Sequence, residues 1–245
     1  MSRGWPFEDM HVHSTFSDGA AELDENVERA VALGLRRLTC VDHVRRDTDW
    51  LPAFVRAVAA WRGDSRLEVL CGIEAKILTL DGDLDMPDDI SGADRVYVAD
   101  HQMPGLSGPI HPRDVRSALA SGDIDEIEVI TDLVRATANA IRRQPDAVIA
   151  HLFSILPKVG LRESRVPLEL IEELAAQTAA AGARIEIDER WSCPSPRTVA
   201  PFVRRGVEVL ASTDSHSLET LGQFRFVRAA FRELGLRGSA EANAA

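Results

Sequence analysis

Short apolar runs alternate along this chain with longer segments whose apolar residues return every three to four positions. Repeated switching between the two patterns marks consecutive βα units and confines the chain to a mostly parallel sheet with helices packed outside it. Seven strands are expected, at 7–12, 37–41, 67–73, 95–99, 147–150, 184–188 and 207–212. Helices are expected over Leu23–Leu33, with Val27, Ala30, Val31 and Gly34 on one face, and over Leu51–Trp61. One or two more fill Pro112–Arg143, another runs from Pro167 to Ala181 with Gly182 as its stop, one starts near Pro196, and the last spans Leu218–Leu234. Seven strands, each followed by a helix, give either a closed barrel or an open, doubly wound sheet. No repeat of 20 to 50 residues and no low-complexity linker divides the sequence, so one domain is expected over residues 1–236, with 237–245 a loose end.

Composition narrows the function. The 39 acidic and 28 basic residues give a net charge of -11, which opposes a broad phosphate-backbone surface for long nucleic acid. No stretch approaches the roughly 20 apolar residues of a membrane span, and MSRGWPFEDM has no apolar signal core, so a cytoplasmic protein is expected. Cys40, Cys71 and Cys193 are too few and too scattered for a disulfide framework or a thiolate metal knuckle. Any metal must be held by histidine and carboxylate.

Those donors are not scattered. The expected strands end, in order, in His11 and His13, His43, Glu74, His101, His151, and Asp214 with His216. Six of the seven histidines therefore lie at C-terminal strand ends, where βα barrels build their active sites. The seventh, His111, sits in a proline-flanked loop and is expected to be ordinary. One histidine at a strand end is usually a structural, hydrogen-bonded residue, but His11 and His13, two apart, reach the same side of one strand. Asp214 and His216 repeat that spacing. Asp18, before Gly19, reads by itself as a turn residue, and Glu74 follows an apolar strand where an unpaired carboxylate is costly. The nine donors exceed what one tetrahedral ion with an open position needs, so two or three divalent ions are expected. A set without thiolates suits Zn, Mn or Fe.

In order along the chain, these residues resemble the PHP (polymerase and histidinol phosphatase) domain family. Its opening motif resembles Asp9–Gly19 (DMHVHSTFSDG), its second the pair Asp42 and His43, and its third Gly72–Glu74 (GIE). Its fourth resembles Asp94–His101 and its last Thr213–His216. TatD-like nucleases and amidohydrolases also open with HxH but usually end in an aspartate with no histidine two residues later. The resemblance implies a distorted seven-stranded (β/α)7 barrel, TIM-like and single-domain. It also implies that His11, His13, Glu74 and Asp214 hold one ion, that Glu74 bridges to a second held by His101 and His151, and that Asp18, His43 and His216 hold a third. A carboxylate at Asp18 is expected to favour a harder ion such as Mn or Fe there.

Clustered divalent ions lower the pKa of a bridging water and neutralise phosphoryl oxygens, so a metal-bound hydroxide is the expected nucleophile, with His216 a candidate acid for the leaving group. No P-loop, GxGxxG or poised Ser or Cys nucleophile stands out. Arg45, Arg46, Lys76, Lys158 and Arg190 follow the strand ends closely enough to approach a phosphorylated substrate. Glu186, between Ile185 and Ile187, is expected to point into the barrel, either as a partner of a ligand or in a structural hydrogen bond. Trp50 and Trp191, in loops at the mouth, could stack on a ring or simply pack. The expected function is a metal-dependent phosphomonoesterase acting on a small metabolite, as in the stand-alone histidinol phosphatases the family includes. A nucleotide phosphatase or exonuclease of the same fold is the alternative, disfavoured because only 26 residues separate Glu74 from His101, too few for a large inserted cap. A non-catalytic metal-binding regulatory module is a further alternative, one in which the ligand set is typically broken.

Overall fold

The computed structural model describes residues 7–236, and the loose end expected at 237–245 lies outside the described residues. Strands β1 (Glu8–Val12), β2 (Arg37–Val44) and β3 (Glu68–Ile77) pair in parallel and in sequence order. The two-residue β4 (Leu84–Asp85) folds back antiparallel onto the end of β3. The parallel order then resumes with β5 (Arg95–Ala99), β6 (Val148–Ile149), β7 (Arg184–Asp188) and β8 (Val209–Ser212). Seven parallel strands thus form the wall, as expected. The circle closes loosely, where Val12 bridges Ser215 just beyond β8, through His13 N–H to Ser215 O at 2.8 Å and Ser215 N–H to His11 O at 3.3 Å.

Eight helices surround this wall among the described residues: α1 (Leu23–Ala32), α2 (Leu51–Ala60), α3 (Pro112–Ser121), α4 (Glu126–Arg143), α5 (Leu156–Val159), α6 (Leu168–Ala180), α7 (Pro196–Arg204) and α8 (Phe226–Leu234). Local chemistry sets their starts. Glu22 and Glu25 form a reciprocal capping box on α1, and the Asp125 carboxylate accepts from Glu128 N–H at the start of α4. His111 Nδ1 accepts from Arg113 N–H at the start of α3, an ordinary role as expected.

Two expectations need correction. No helix follows β3, because residues 78–94 are rich in Asp, Pro and Gly and lack a helical period, so the chain turns into β4 instead. The last helix begins at Phe226 rather than Leu218, because Gly222, at φ +69°, keeps the preceding segment in turns.

Inside the barrel, Met10, Val41, Tyr97, Ala99, Val148, Ala150 and Leu210 form an apolar plug, and the Tyr97 hydroxyl donates to Met10 O. Gly72 makes room for it: a Cβ there would lie 2.8 Å from Val41, 2.9 Å from Thr39 and 3.1 Å from the Tyr97 ring. Outside the wall a second core joins sheet to helices, with Val27, Leu38, Phe54, Leu133, Ile141 and Leu174 fully buried. The three cysteines are buried and free.

The seam between first and last strands is fastened by Asp9. Its carboxylate accepts from Thr213 N–H at 2.9 Å, from the Thr213 hydroxyl and from Gly222 N–H at 2.9 Å. Burial pushes this carboxyl up to about 6 despite those hydrogen bonds. Asp42 plays the matching part for the first loop, accepting from Ser14 N–H and Ser17 N–H, each at 3.1 Å. Asp9→Ala leaves three buried donors without an acceptor and should cost about 2–4 kcal/mol in urea-induced unfolding. A variant as stable as the parent would show that the seam is held elsewhere.

Candidate active site

All nine expected donors converge at the C-terminal end of the barrel. Glu74, fully buried at the inward face of β3 and in register with His43 on β2, is the hub. Its Oε1 lies 3.0 Å from His101 Nε2 and 2.9 Å from His151 Nε2. Its Oε2 lies 2.8 Å from His43 Nδ1 and 3.5 Å from Nε2 of both His11 and His13. Asp214 Oδ1 is 3.0 Å from His13 Nε2. Asp18 lies 3.2 Å from His216, 3.5 Å from His43 and 3.7 Å from His13.

Three overlapping groups offer donor atoms within 4.8 Å of one another: His13, Asp18, His43 and His216; His11, His13 and Asp214; and His43, Glu74 and His101. Compared with the partition the resemblance implies, His13 joins the Asp18 group, and His43 stands beside Glu74 as well. His151 reaches the same Glu74 oxygen as His101.

The charge pattern fits divalent cations. His11 and His13 turn their Nε2 atoms toward each other at 3.1 Å, while the buried His13 Nδ1 and Glu74 Oε2 find no hydrogen bond of acceptable geometry. Burial opposes charge on Glu74, but the charges and hydrogen bonds of His101 and His11 hold it well below the ordinary carboxylate range. Hydrogen bonds from His216 and His43 likewise depress Asp18. Burial works against a charged His43, yet its bonds to Asp18 and Glu74 push it up to about 10. Ionised carboxylates interleaved with imidazoles are the hard and borderline donors a divalent ion takes.

Surrounding groups aim these donors. Glu186, buried on β7 as expected, lies 3.1 Å from His11 Nδ1 and accepts from His151 N–H at 2.8 Å, leaving His11 Nε2 to face the cluster. Asp100 acts similarly on His151, 3.5 Å from its Nδ1, while also accepting from the Ser154 hydroxyl at 2.7 Å. Trp191 Nε1 donates to Asp214 Oδ2 at 2.8 Å, and Trp191 N–H donates to Asp188 Oδ1 at 2.8 Å. Burial, with the Asp214 and Glu186 charges nearby, pushes Asp188 well above the usual carboxylate range. Gly19 of the SDG segment is needed for close approach, since a Cβ would sit 2.6 Å from the His13 carbonyl carbon. His151 (φ +27°) and Asp214 (φ +49°) hold left-handed backbone, a strain that surrounding contacts must maintain.

Asp100 and Asp188 were not expected from sequence. Asp100 immediately precedes His101, and Asp188 is two residues beyond Glu186 on the same strand face, so a strict alternation argument along β7 could have found the second.

A cavity of about 430 Å³ opens onto the cluster, and Arg45, Lys76, Lys158 and Arg190 line it together with Trp191. Arg46 does not line it; its backbone N–H donates to Asp85 and it borders a separate groove. Trp50 packs against Phe16 and Phe54 rather than at the mouth. Arg190 Nη1 lies 3.0 Å from His216 Nε2 and 3.7 Å from Asp214 Oδ2.

The model of the PHP domain matches residues 9–177. The chain belongs to the PHP domain family. That match ends before β7 and β8, the strands that lead to Glu186, Asp214 and His216. The PHP fold is matched by the histidinol phosphate phosphatase HisK of Lactococcus lactis, solved with Zn, L-histidinol and phosphate, at TM-score 0.63 and 17% identity over 94% of each chain. A proposed histidinol phosphatase HisK from Listeria monocytogenes matches at TM-score 0.64 and 14% identity, over 88% of this chain and 97% of that one. At such identities the likeness establishes the barrel. No curated protein sequence matches this PHP chain.

Glu186→Gln keeps the size of the side chain but presents an amide to His11 and His151. Calorimetric titration with Zn or Mn should show metal affinity lower by about 10- to 100-fold; unchanged affinity would remove Glu186 from the site.

Proposed function

We propose that this PHP protein is a metal-dependent phosphomonoesterase acting on a small phosphorylated metabolite, with His11, His13, Asp18, His43, Glu74, His101, His151, Asp214 and His216 holding two or three divalent ions. The observation that carries the reading is the convergence of these nine donors in one cluster, five of its imidazoles within 3.5 Å of the buried Glu74 carboxylate, beside a cavity sized for a small molecule. Family membership and the fold shared with HisK support it.

When bound, Zn, Mn or Fe would supply Lewis acidity toward the phosphoryl oxygens and an activated water for in-line attack. The chain's own residues do the rest. Glu186 and Asp100 fix the rings of His11 and His151, so that Nε2 of each faces the cluster. Arg190, beside His216 and Asp214, is placed to receive a phosphoryl oxygen. His216, at the edge of the cluster and lining the cavity, is a candidate proton donor to the leaving oxygen only where it does not itself hold an ion. The net charge of -11 suits a small ester rather than a long nucleic acid.

Phosphate release from glycerol phosphate, histidinol phosphate and an aryl phosphate, measured with metal-loaded protein and after chelation, tests the reading. Metal-dependent turnover of at least one ester is expected, and loss of all turnover without metal. His13→Ala, which removes a donor shared by two of the three groups, should abolish both bound metal and activity. If purified His13→Ala retains both, the site is misassigned.

Proton competition gives an independent check. Because His43 is held protonated up to about pH 10 by Asp18 and Glu74 against its burial, a cation entering there must displace a proton. Apparent metal affinity should therefore rise with pH below that value, by about tenfold per pH unit for each proton released. A pH-independent affinity between pH 6 and 9 would mean that His43 is not a ligand.

A further inference from the structure

The basic residues of this chain are almost all arginine: of 28, only two are lysines, Lys76 and Lys158. Both line the cavity over the candidate metal cluster. Only four of the 28 basic residues line that cavity, so a random placement of two lysines among the basic positions would seldom put both there. A chain that uses arginine nearly everywhere else keeps the compact, strongly hydrated ammonium at these two places, which points to a requirement for a point donor rather than a planar fork.

Charge distribution says what the ammonium groups meet. Some arginines elsewhere are matched with acids, as in Arg62 with Asp94, Arg143 with Asp83 and Arg184 with Glu208. At the mouth Arg190 lies 3.7 Å from Asp214 Oδ2, and the two lysines differ from each other. Outside the nine donors the cavity wall carries one carboxylate, Asp85, already 3.4 Å from Lys76 Nζ. Among the described residues no carboxylate lies within ion-pair distance of Lys158, and its Nζ instead lies 4.4 Å above the Trp191 ring, where a cation is held by the ring face. An acidic protein has thus kept, at an opening that leads to its site, a cation held by a ring face rather than by a carboxylate.

The height of these groups matters. Lys76 lies two residues beyond Glu74 on β3 and so projects from the same face, about 7 Å further along the strand toward the mouth. Lys158, on α5, reaches over Trp191, whose indole in turn bonds the cluster's Asp214. Both ammonium groups therefore belong to a layer above the donors that would take the ester phosphate.

Resting on the phosphomonoesterase reading, we propose that the substrate carries a second anionic group, a carboxylate or a further phosphate, on its alcohol portion, and that Lys76 and Lys158 bind it. The site then selects against an alcohol bearing a neutral or cationic substituent, such as histidinol. Lys158 is the free donor, and Lys76, oriented by Asp85, is the fixed one.

The test compares four esters with metal-loaded protein: glycerol 3-phosphate (neutral remainder), histidinol phosphate (cationic), 3-phosphoglycerate (carboxylate) and fructose 1,6-bisphosphate (second phosphate). The last two should show kcat/KM about 10- to 100-fold above the first two, the size of one hydrogen bond between charged groups. The better of the two identifies the anion. Lys158→Ala should lower kcat/KM for the two anionic esters at least tenfold more than for glycerol 3-phosphate, and Lys158→Arg should restore the preference only partly. Calorimetry adds a binding arm that needs no turnover: phosphonoacetate should bind the loaded protein more tightly than methylphosphonate, and Lys158→Ala should erase the difference. Equal kcat/KM across the four esters, or a Lys158→Ala loss shared equally by all of them, overturns the second-anion proposal while leaving the phosphatase reading intact. No hydrolysis of any ester overturns both.

Discussion

The arrangement depends on one buried carboxylate. Glu74, at the end of β3, brings a full negative charge into a layer where solvation is absent, and only the five imidazoles within 3.5 Å make that tolerable. Those imidazoles come from β1, β2 and the turns after β5 and β6, so the electrostatic need of one side chain draws together segments as much as 140 residues apart. The apolar plug beneath, built on Tyr97 and the space left by Gly72, gives this charged layer a floor that water cannot reach. His11, His43 and Glu74 are held in the wall of the barrel, and Glu186 and Asp100 orient His11 and His151, which preorganises that part of the cluster.

Much of this was legible in the sequence, for a physical reason. Parallel strands buried on both faces read as apolar runs, and their C-terminal ends are where polar residues must begin, so a histidine after each run is visible without coordinates. The strand at 184–188 was found to the residue because Glu186 breaks an isoleucine pair in strict alternation. Legibility failed where no periodicity exists to read. The crossover after β3 was expected to hold a helix, but its Asp, Pro and Gly residues fold into turns and a two-residue strand. The last helix was drawn eight residues too long at its start, because the turn that stops it is set by Gly222 N–H bonding to Asp9, more than 200 positions away. Contacts of that range leave no local trace.

The supporting shell shows the same limit. Glu186 was visible because a charged residue in an apolar strand demands an explanation, whereas nothing in the sequence singled out Asp100, whose role comes from its distance to His151. Trp191 read as a ring available for stacking; its indole N–H is committed to Asp214 instead, and its face to Lys158. Residue type could announce a candidate donor, but only three-dimensional proximity could say which atom each donor offers.

The joint between the first and last strands has a consequence of its own. The backbone atoms that stitch it belong to Ser215 and to His11 and His13, so two of the residues that sew the chain shut also turn their side chains to the cluster. A ligand that grips those side chains also tightens the stitching, and a loosened stitch spoils the grip, which makes occupancy and fold integrity a single reciprocal equilibrium. In such a molecule the loosest closure of the architecture coincides with its most reactive point.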